Sequence, residues 1–446
     1  MTQLNGLNGS ANGQSTVIDP KVATSPSAAE RLPQLLAEIQ SYSQAFTDGE
    51  GDARLKLLDA ARSLVQAVET PQETMLQYCW AYPTSFAGIE TCIDLGIFDL
   101  LAQTNKPKSV AELAKSTGAE PELLGRIMKH LATMGVLVET NADEYTRNGL
   151  TTTLAIKRYS DAWPCINGCT LPAIFALPSW LKKNQYRTPT DGHNSPFNLG
   201  FKTESHFFEF INGKNPDYPD LAAQFNNLMS AYHQGRPSWM DAGFYPVQER
   251  LIKGTKTGEN EVLIVDVGGN KGHDLEEFTQ KWPQATGRLV LQDQQEVISG
   301  IQSLNSAIEP MVHDFFTEQP VKGRNNLNSS PQDKNSLVNS GLGSRAYFLH
   351  SILHDWNDET CRKILSQLVA AMTPGYSKVL INENVVPDTG AHWQATSLDI
   401  VMMADFGAKE RTARQWQQLI ESVGLKVIKI WTPLHSAESL IECELA

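Results

Sequence analysis

The spacing of apolar residues in the first part of the chain predicts helices. Apolar side chains recur every three or four positions over residues 32–39 and again over 55–68, with a polar, glycine-containing break at 48–52. A third helical stretch, 75–101, is apolar on more than one face, which is typical of a core helix or a subunit interface; we favour the interface. Residues 1–30 are polar and rich in small side chains. We expect a disordered tail there, because such a segment cannot bury enough apolar surface to offset the entropy lost on ordering.

Residues 108–148 predict two short helices followed by a small hairpin. Ser109 and Glu112 form the capping box that opens the first helix, and Pro121 suits the first turn of the second. Short apolar segments then flank a polar turn, as in a hairpin. Helix, helix and hairpin in this order predict a winged-helix unit, so we interpret residues 31–155 as a helical and winged-helix domain.

The charge pattern decides between two functions of a winged helix, DNA binding and dimerisation. Residues 105–150 contain six Lys and Arg and six Asp and Glu, and the whole chain carries a net charge of −13. A surface that binds nucleic-acid phosphates would be basic. We therefore expect a structural or dimerisation module and no nucleic-acid partner.

Three further features bear on the cellular compartment. The uncharged stretch 162–181 is long enough to cross a bilayer, but Pro164, Pro172 and Pro178 would interrupt a spanning helix, so no membrane association is expected. The six cysteines are scattered, with no C-x-x-C pair, which favours reduced thiols over a zinc site or a disulfide framework. Residues 1–30 contain no apolar signal segment, and we expect a cytoplasmic protein.

The second part of the chain changes character twice. Residues 156–250 are helical in pattern and rich in aromatic side chains, some of which we expect to line a pocket. Over 251–446, short apolar runs alternate with helical patterns, which predicts an open α/β sheet with crossover helices. Residues 320–345 interrupt this alternation and are predicted to form a flexible insertion. The predicted strands are 262–267, 288–292, 346–350, 378–383, 427–431 and 440–443.

A glycine-rich turn, D-x-G-G-x-x-G over residues 266–272, follows the first strand of this sheet. Such a turn lets a ligand approach the backbone closely, but a dinucleotide fingerprint requires a glycine where Val267 stands. The next strand ends at Asp293, where a carboxylate can accept hydrogen bonds from ribose hydroxyls. A glycine turn and a ribose acid without a pyrophosphate clamp predict a nucleoside site. The alternative is a structural turn beside an ordinary surface aspartate.

His354 lies near the end of a predicted strand, the edge at which open α/β sheets bind their ligands. Histidine, with an ordinary pKa near ~6.5, suits a general base at neutral pH. Glu383 ends the next strand and Glu410 follows a turn, and two carboxylates near an imidazole could orient it and stabilise its cation. Taken alone, each glutamate could be an ordinary solvated charge. Asp355 has a simpler interpretation as a cap of the following helix.

The second part of the chain also contains six short motifs in a fixed order, which are VDVGGNKG (265–272), LQD (291–293), HDFF (313–316), LHDW (353–356), VLINE (379–383) and FGAKER (406–411). In these motifs the chain resembles the caffeate/hydroxyindole-type small-molecule O-methyltransferases that depend on S-adenosylmethionine, and among them those of fungal secondary metabolism. The resemblance covers about residues 70–446. It implies a class I methyltransferase fold, an α/β Rossmann-like seven-stranded sheet preceded by an α-helical winged-helix dimerisation domain. Residues 156–250 would line the substrate, and 251–446 would form the cofactor-binding catalytic domain.

The resemblance also implies which residues contact the cofactor. Gly268 would lie beside the methionine part of S-adenosylmethionine, and Asp293 would bind the ribose. Asp314 and Phe315 would meet the adenine, and Trp356 would pack near it.

The resemblance further implies the catalytic residues and the partners. His354 would be the base, flanked by Glu383 and Glu410, and Met402 and Asp405 would contact the acceptor. The aromatic-rich segment favours a small aromatic acceptor, phenolic or polyketide-like. No metal is implied, and the N-terminal helices would make a homodimer.

Three other functions remain open. A pericyclase or dehydratase on the same fold could use the bound sulfonium cation as an electrostatic aid without transferring its methyl group. The presence of His354, Glu383 and Glu410 favours methyl transfer over that reaction. A regulator acting through the winged helix is disfavoured by the neutral charge count, and a nicotinamide dehydrogenase is disfavoured by Val267.

Overall fold

The structure, a computed structural model, describes residues 18–213, 215–256, 261–322, 343–433 and 438–446. The chain divides into two compact units, Met1–Ile156 and Lys157–Ala446. Most of the predicted tail and of the predicted insertion, 1–17 and 323–342, lies outside the described residues. At one end of that insertion, Val321 is buried in the core and therefore belongs to the fold.

The first unit is mostly helical, and its ordered part begins earlier than predicted. Pro20–Thr24 and Ala29–Arg31 form short 3₁₀ helices within the predicted tail, and Ser27 Oγ donates to the carbonyl of Glu69 at 2.8 Å. That long-range hydrogen bond supplies an anchor that composition alone does not reveal. The α-helices of this unit are α1 (Leu32–Thr47), α2 (Ala53–Val68), α3 (Pro71–Leu76), α4 (Tyr82–Asp94), α5 (Ile97–Ala102), α6 (Val110–Thr117), α7 (Pro121–Thr133) and α8 (Gly149–Leu154).

The predicted helical stretch 75–101 is not one continuous helix. A π-helical turn at Gln77–Ala81 separates α3 from α4, and Gly96, with φ +68°, separates α4 from α5. The left-handed conformation at Gly96 ends the helix because other residues adopt it only with strain. Tyr78 and Trp80 in this stretch are 70% and 68% exposed within the chain, which agrees with an interface rather than a core.

The winged-helix prediction is confirmed. α6 and α7 are followed by a hairpin, and the strands β1 (Lys108–Ser109), β2 (Val138–Asn141) and β3 (Glu144–Thr146) form an antiparallel sheet in the order β1-β3-β2. The capping box is present, since Ser109 N donates to Glu112 Oε2 at 2.8 Å and Glu112 N donates to Ser109 Oγ at 3.2 Å.

The second unit begins with helices whose aromatic side chains pack on one another. Phe207 lies 4.4 Å from Phe406 between ring centroids, and Phe197 lies 5.4 Å from Phe207. Among the described residues, no helix is both long enough and apolar enough to span a membrane. The α-helices are α9 (Lys157–Ser160), α10 (Ala162–Cys169), α11 (Leu171–Lys183), α12 (Pro196–Phe201), α13 (Phe207–Asn212) and α14 (Leu221–His233), and a π-helical turn follows at Gln248–Ile252.

The predicted seven-stranded sheet is confirmed, with one short strand added. The strand order is β10-β11-β8-β7-β4-β5-β6, β11 is antiparallel to its two neighbours, and the two-residue β9 pairs with β8. The strands are β4 (Val262–Val267), β5 (Arg288–Asp293), β6 (Ile308–Val312), β7 (Ser344–His350), β8 (Lys378–Val386), β9 (Arg411–Thr412), β10 (Leu425–Trp431) and β11 (Glu438–Leu445). The crossover helices are α15 (His273–Lys281), α16 (Gln295–Ser299), α17 (Asp358–Ala371), α18 (Trp393–Phe406) and α19 (Ala413–Glu421).

Both faces of the sheet are covered. Val265 and Val267 belong to one core, which includes residues of α17 and α19, whereas Ile264 belongs to the other, which includes residues of α15. Successive residues of a strand point to opposite faces, so the buried β4 contributes to both cores. Because the faces are closed, ligands meet such a sheet at the carboxyl ends of its parallel strands.

Candidate active site

The glycine turn after β4 lets a ligand approach its backbone. Gly268 N and Gly269 N both donate to the carbonyl of Gln292, at 2.9 and 3.1 Å, which folds the turn against β5. Gly268 has φ +74°, and a Cβ at this position would lie 2.7 Å from Ile352 Cδ1. The backbone conformation would strain any other residue at position 268, and a Cβ there would also require the Ile352 side chain to move.

Asp293 ends β5, as predicted, and its carboxylate holds the loops on both sides. Oδ2 accepts from Asn270 N at 2.8 Å, and Oδ1 accepts from Gln294 N at 2.7 Å. Burial raises the pKa of Asp293, while these two N–H donors favour its ionised form. Each oxygen keeps a further lone pair, so the carboxylate can also accept from ribose hydroxyls.

Asp266, in β4, is a site residue that the sequence reasoning did not assign. Its side chain is fully buried, and neither carboxylate oxygen has a hydrogen-bond partner among the described residues. A Cβ at Gly269 would lie 2.3 Å from Asp266 Oδ2, so the glycine turn packs directly on the carboxylate. Burial raises the pKa of Asp266 well above its usual range, and a cation at this turn would offset the cost of ionising it. A cationic cofactor such as S-adenosylmethionine would therefore suit the buried carboxyl group next to this turn.

Aromatic side chains meet beside the glycine turn. Phe315 comes within 3.7 Å of where a Cβ at Gly268 would lie, and its ring centroid is 6.3 Å from that of Trp356. Asp314 Oδ1 accepts from the backbone N–H two residues later at 3.0 Å, which shapes the turn that carries Phe315. His206, which the sequence reasoning missed, stacks on Trp356 at 5.3 Å with an interplanar angle of 6°. Of the predicted cofactor residues, the structure brings Gly268, Phe315 and Trp356 together, and Asp293 is bonded to the same glycine turn through Asn270 N.

The predicted base and its two glutamates also come together. β8 carries Glu383 and pairs with β7, and β9 pairs with β8, which places Glu410 beside that strand. His354 Nδ1 lies 2.8 Å from Glu410 Oε1 and 3.8 Å from Glu383 Oε2, and all three residues are buried. A carboxylate can only accept a hydrogen bond, so Nδ1 donates to Glu410 and Nε2 is the basic nitrogen.

The backbone turn that carries the histidine is held on both sides. Glu383 Oε1 accepts the N–H groups of residues 352–354 at 3.0, 2.7 and 3.3 Å. Arg411 is fully buried and donates to two carbonyl groups of the same turn, Leu353 O at 2.9 Å and Trp356 O at 2.8 Å. Glu383 thus fixes the backbone as well as flanking the imidazole. The sequence reasoning gave no role to Arg411, although the residue ends the FGAKER motif.

Four ionisable groups share this buried space. Burial alone would lower the pKa of His354, but the charges of Glu383, Asp355 and Glu410 raise it well above its usual value. Asp355 Oδ1 lies 3.5 Å from His354 Nε2. Burial raises the pKa of Asp355 to about 7, the two glutamates add to the rise, and the imidazolium opposes it. Burial also raises the pKa of Glu383.

The same cluster has a spacing that would admit a metal ion. One ligand atom from each of His354, Glu383 and Glu410 lies within 4.8 Å of the others. The second oxygen of each glutamate, Oε2, has no hydrogen-bond partner among the described residues. Histidine and carboxylate ligands are common in metal sites, so a chelator tests the predicted independence from metal.

The helix after the histidine is not capped by Asp355, so that prediction is wrong. α17 begins at Asp358, and Asn357 Oδ1 accepts from Thr360 N at 2.9 Å as its cap. A 3₁₀ turn at Leu353–Asp355 precedes the helix, so Asp355 lies too early in the chain to cap it. Its carboxylate lies beside the imidazole instead.

Met402 and Asp405, the predicted acceptor contacts, lie in α18 and are buried. Thr170 Oγ1 donates to Asp405 Oδ2 at 2.8 Å, and Asp405 Oδ1 has no hydrogen-bond partner among the described residues. Burial raises the pKa of Asp405 well above its usual range, which favours the neutral carboxyl group. Met402 packs in a cluster with aromatic side chains, among them Phe197, Phe207, Phe225 and Phe406.

Known sequences match the chain over both of its units. The family model of the O-methyltransferase domain matches residues 341–426, and that of the O-methyltransferase dimerisation domain matches residues 78–156. The O-methyltransferase mpaG of Penicillium brevicompactum is 36% identical over 415 residues, which are 92% of this chain and 98% of that protein.

Solved structures match nearly the whole chain as well. LepI in complex with SAM is 28% identical, with a TM-score of 0.80, and the match covers 94% of this chain and 100% of that one. A structure described as a pericyclic reaction enzyme is also 28% identical, with a TM-score of 0.79 and the same coverage.

The sheet order, the glycine turn and the winged-helix unit define a class I methyltransferase that uses S-adenosylmethionine as its cofactor. Within that class, the family follows from a relative that is 36% identical over 92% of the chain. The chain belongs to the O-methyltransferase family, and the relative of known sequence described above comes from a fungus.

Proposed function

We propose that the enzyme transfers the methyl group of S-adenosylmethionine to a hydroxyl group of a small aromatic secondary metabolite, phenolic or polyketide-like, with His354 as the general base. The observation that carries this proposal is the 2.8 Å hydrogen bond from His354 Nδ1 to Glu410 Oε1. It fixes the tautomer and the orientation of the ring, as the third member of a catalytic triad does. The aromatic cluster around Met402 supports a flat acceptor.

Five residues would hold the cofactor, which are Gly268, Asp293, Asp314, Phe315 and Trp356. The close approach allowed at Gly268 suits the methionine part, Asp293 would accept from the ribose hydroxyls, and the aromatic side chains would pack against the adenine. When bound, S-adenosylmethionine supplies a methyl group that is already activated by its sulfonium. The task of the chain is then to position the acceptor oxygen and to remove its proton.

His354 would take the proton of the acceptor hydroxyl at Nε2. A phenol with a pKa near ~10 gives up its proton to such a base as its oxygen gains the methyl group. The carboxylate of Glu410 would stabilise the imidazolium that forms, and Glu383 would keep the turn in place. Met402 and Asp405 would contact the acceptor from α18.

We also infer a homodimer formed through the first unit. The dimerisation match begins at residue 78, where Tyr78 and Trp80 are exposed within the chain. Large exposed aromatic side chains that lie close together favour an interaction surface, and a second copy would cover them. Equilibrium sedimentation should give twice the mass of the chain, and a monomer at micromolar concentration would contradict this inference.

Methyl-deuterated S-adenosylmethionine tests the proposed reaction directly. We would incubate the enzyme with it and a metabolite extract from its own source, and follow the products by mass spectrometry. A species carrying the labelled methyl group, with S-adenosylhomocysteine accumulating, would identify the acceptor. His354→Ala should abolish this product while calorimetry shows cofactor affinity within a few-fold of wild type; an equally active variant would remove His354 as the base. Addition of EDTA should leave the rate unchanged.

A pericyclase or dehydratase that binds S-adenosylmethionine without spending it is the second candidate. The likeness to a pericyclic reaction enzyme over 94% of the chain favours it. In that reaction the substrate would isomerise or lose water, and no S-adenosylhomocysteine would form. The same labelling experiment therefore separates the two candidates.

A further inference from the structure

We infer that Asp355 is the proton-relay residue that carries the acceptor's proton from His354 to water, an inference that rests on the proposed function. Methyl transfer releases one proton in each turnover: the acceptor O–H bond breaks, an O–CH₃ bond forms, and the sulfonium becomes a neutral thioether. The proton is then on His354 Nε2. It must leave before the imidazole can act as a base again.

The Nδ1 side of the imidazole offers no direct way out. Nδ1 already donates to Glu410, and the side chains of Glu410 and Glu383 are both 0% exposed. Glu383 Oε1 is also occupied by three backbone N–H donors. A proton passed to either glutamate would remain inside the protein.

Asp355 lies on the opposite side of the ring. Its Oδ1 is 3.5 Å from His354 Nε2, a separation that a small side-chain rotation reduces to hydrogen-bond length. Its side chain is 14% exposed, against 9% for His354. The cap of α17 is supplied by Asn357, so capping does not hold the Asp355 carboxylate elsewhere. Of the four groups in the cluster, Asp355 is the one that combines contact with Nε2 and the greatest exposure to water.

The relative acidities suit this transfer. Although burial opposes it, the surrounding carboxylates raise the pKa of His354 well above its usual value, so the imidazolium gives up its proton with difficulty. An ordinary aspartate, with a pKa near ~3.9, would accept that proton only at a large cost. Burial, together with Glu383 and Glu410, raises the pKa of Asp355 to about 7 against the effect of His354. The pKa of the acceptor group thus comes closer to that of the imidazolium that donates the proton.

Asp355→Asn tests the relay, because it keeps the size of the side chain and removes its ability to carry a proton. With the acceptor found by labelling, we expect kcat to fall by about 100-fold, within the range that acid–base groups contribute. The KM for S-adenosylmethionine should stay within about twofold of wild type, since the variant keeps the backbone turn. Imidazole in the buffer should restore kcat in proportion to its concentration. Asp388→Asn is the matched control, since Asp388 is exposed and the charge change is the same.

Two results would overturn the relay: an unchanged kcat, or a lower kcat that imidazole does not restore. A wild-type enzyme that forms no labelled product would contradict the proposed function instead. In that case infrared difference spectra, recorded on either side of the pKa of about 7, report on Asp355 without an acceptor. The wild type should lose a protonated-carboxyl band as the pH rises, and the band should be absent in Asp355→Asn. The same band in both proteins would also overturn the assignment.

Discussion

Arg411 Nη1 donates to the carbonyl of Leu353 at 2.9 Å, so a fully buried cation holds the residue just before the base. Nη2 of the same guanidinium lies 2.8 Å from Asp358 Oδ1, and its carbon atom Cζ lies 5.0 Å from the ring centroid of Trp416. These contacts join β9, the turn at residues 352–356 that carries His354, α17 and α19. The position of His354 therefore depends on Arg411 through the backbone.

Arg411→Lys keeps the positive charge and loses the planar fork of donors that reaches two carbonyl groups at once. We expect kcat to fall by about 10- to 100-fold, because a small displacement of the base is costly. The free energy of unfolding should fall by about 1–3 kcal/mol, because buried carbonyl groups lose their partners. Steady-state kinetics and chemical denaturation measure both effects. Arg414→Lys, at an exposed position nearby, is the control. Equal kcat values for the two variants would contradict the role of Arg411 in holding the turn that carries His354.

Glu410→Gln should shift the pH profile of the reaction. The base must be neutral to act, so kcat/KM of the wild type should rise as the pH passes the raised pKa of His354. Glu410 is one of the charges that raise this pKa, and its removal should move the rising limb to lower pH. The maximum rate should also fall, because the imidazolium is stabilised less. A rising limb at the same pH in both proteins would contradict the role of Glu410.

The raised pKa of His354 has a matching effect on stability. A group that binds its proton more tightly in the folded chain stabilises the fold at pH values below its unfolded pKa, near ~6.5. That contribution is lost as the pH rises through the folded pKa. In Glu410→Gln the loss should occur at lower pH, which thermal unfolding across the same range measures.

Asp293→Ala should weaken cofactor binding. The carboxylate holds the glycine turn through Asn270 N and would accept from the ribose, and hydrogen bonds to a charged group are worth about 1.5–3 kcal/mol. We expect the Kd of S-adenosylmethionine to rise by about 10- to 100-fold in calorimetry. Asp293→Asn should lose less, because the amide oxygen still accepts one N–H while its nitrogen cannot accept. An unchanged Kd in Asp293→Ala would contradict the ribose role.

Most of the sheet could be predicted because its buried parallel strands are continuous apolar runs, as in β4 and β8. The strand β6 was missed. It contains Pro310, which argues against a strand unless the strand lies at an edge. β6 is an edge strand, but only the strand order shows that.

The candidate site was predictable in its residue types and less so in its contacts. Glu410 follows a turn in the sequence, and its approach to His354 depends on the pairing of β9 with β8. Arg411 was missed because its role consists of hydrogen bonds to backbone carbonyl groups, which no sequence pattern records. Asp355 was misassigned because its spacing suits a cap, whereas the 3₁₀ turn moves the start of the helix beyond it.

Asp405→Asn should stabilise the enzyme near neutral pH. Burial raises the pKa of Asp405 well above its usual range, so the folded chain keeps the proton while the unfolded chain, with a pKa near ~3.9, releases it. The stability that this group contributes below the unfolded pKa is therefore lost as the pH rises. Asparagine does not ionise, and Thr170 Oγ1 can still donate to its amide oxygen. The Tm of the variant should exceed that of the wild type at about pH 7, and the gain should shrink toward about pH 4.

Thermal unfolding at both pH values measures this difference, with Asp388→Asn as the exposed control that should leave the Tm unchanged. A Tm gain that is as large at low pH as at neutral pH would contradict the neutral state of Asp405. The difference in Tm between the variant and the wild type would then have a cause other than ionisation of the carboxyl group. The kinetics of the same variant report on the acceptor. If Asp405 contacts the acceptor, the KM for the acceptor should change while the Kd of S-adenosylmethionine stays the same. The two effects separate because Asp405 lies in α18, whereas the glycine turn proposed to bind the cofactor follows β4.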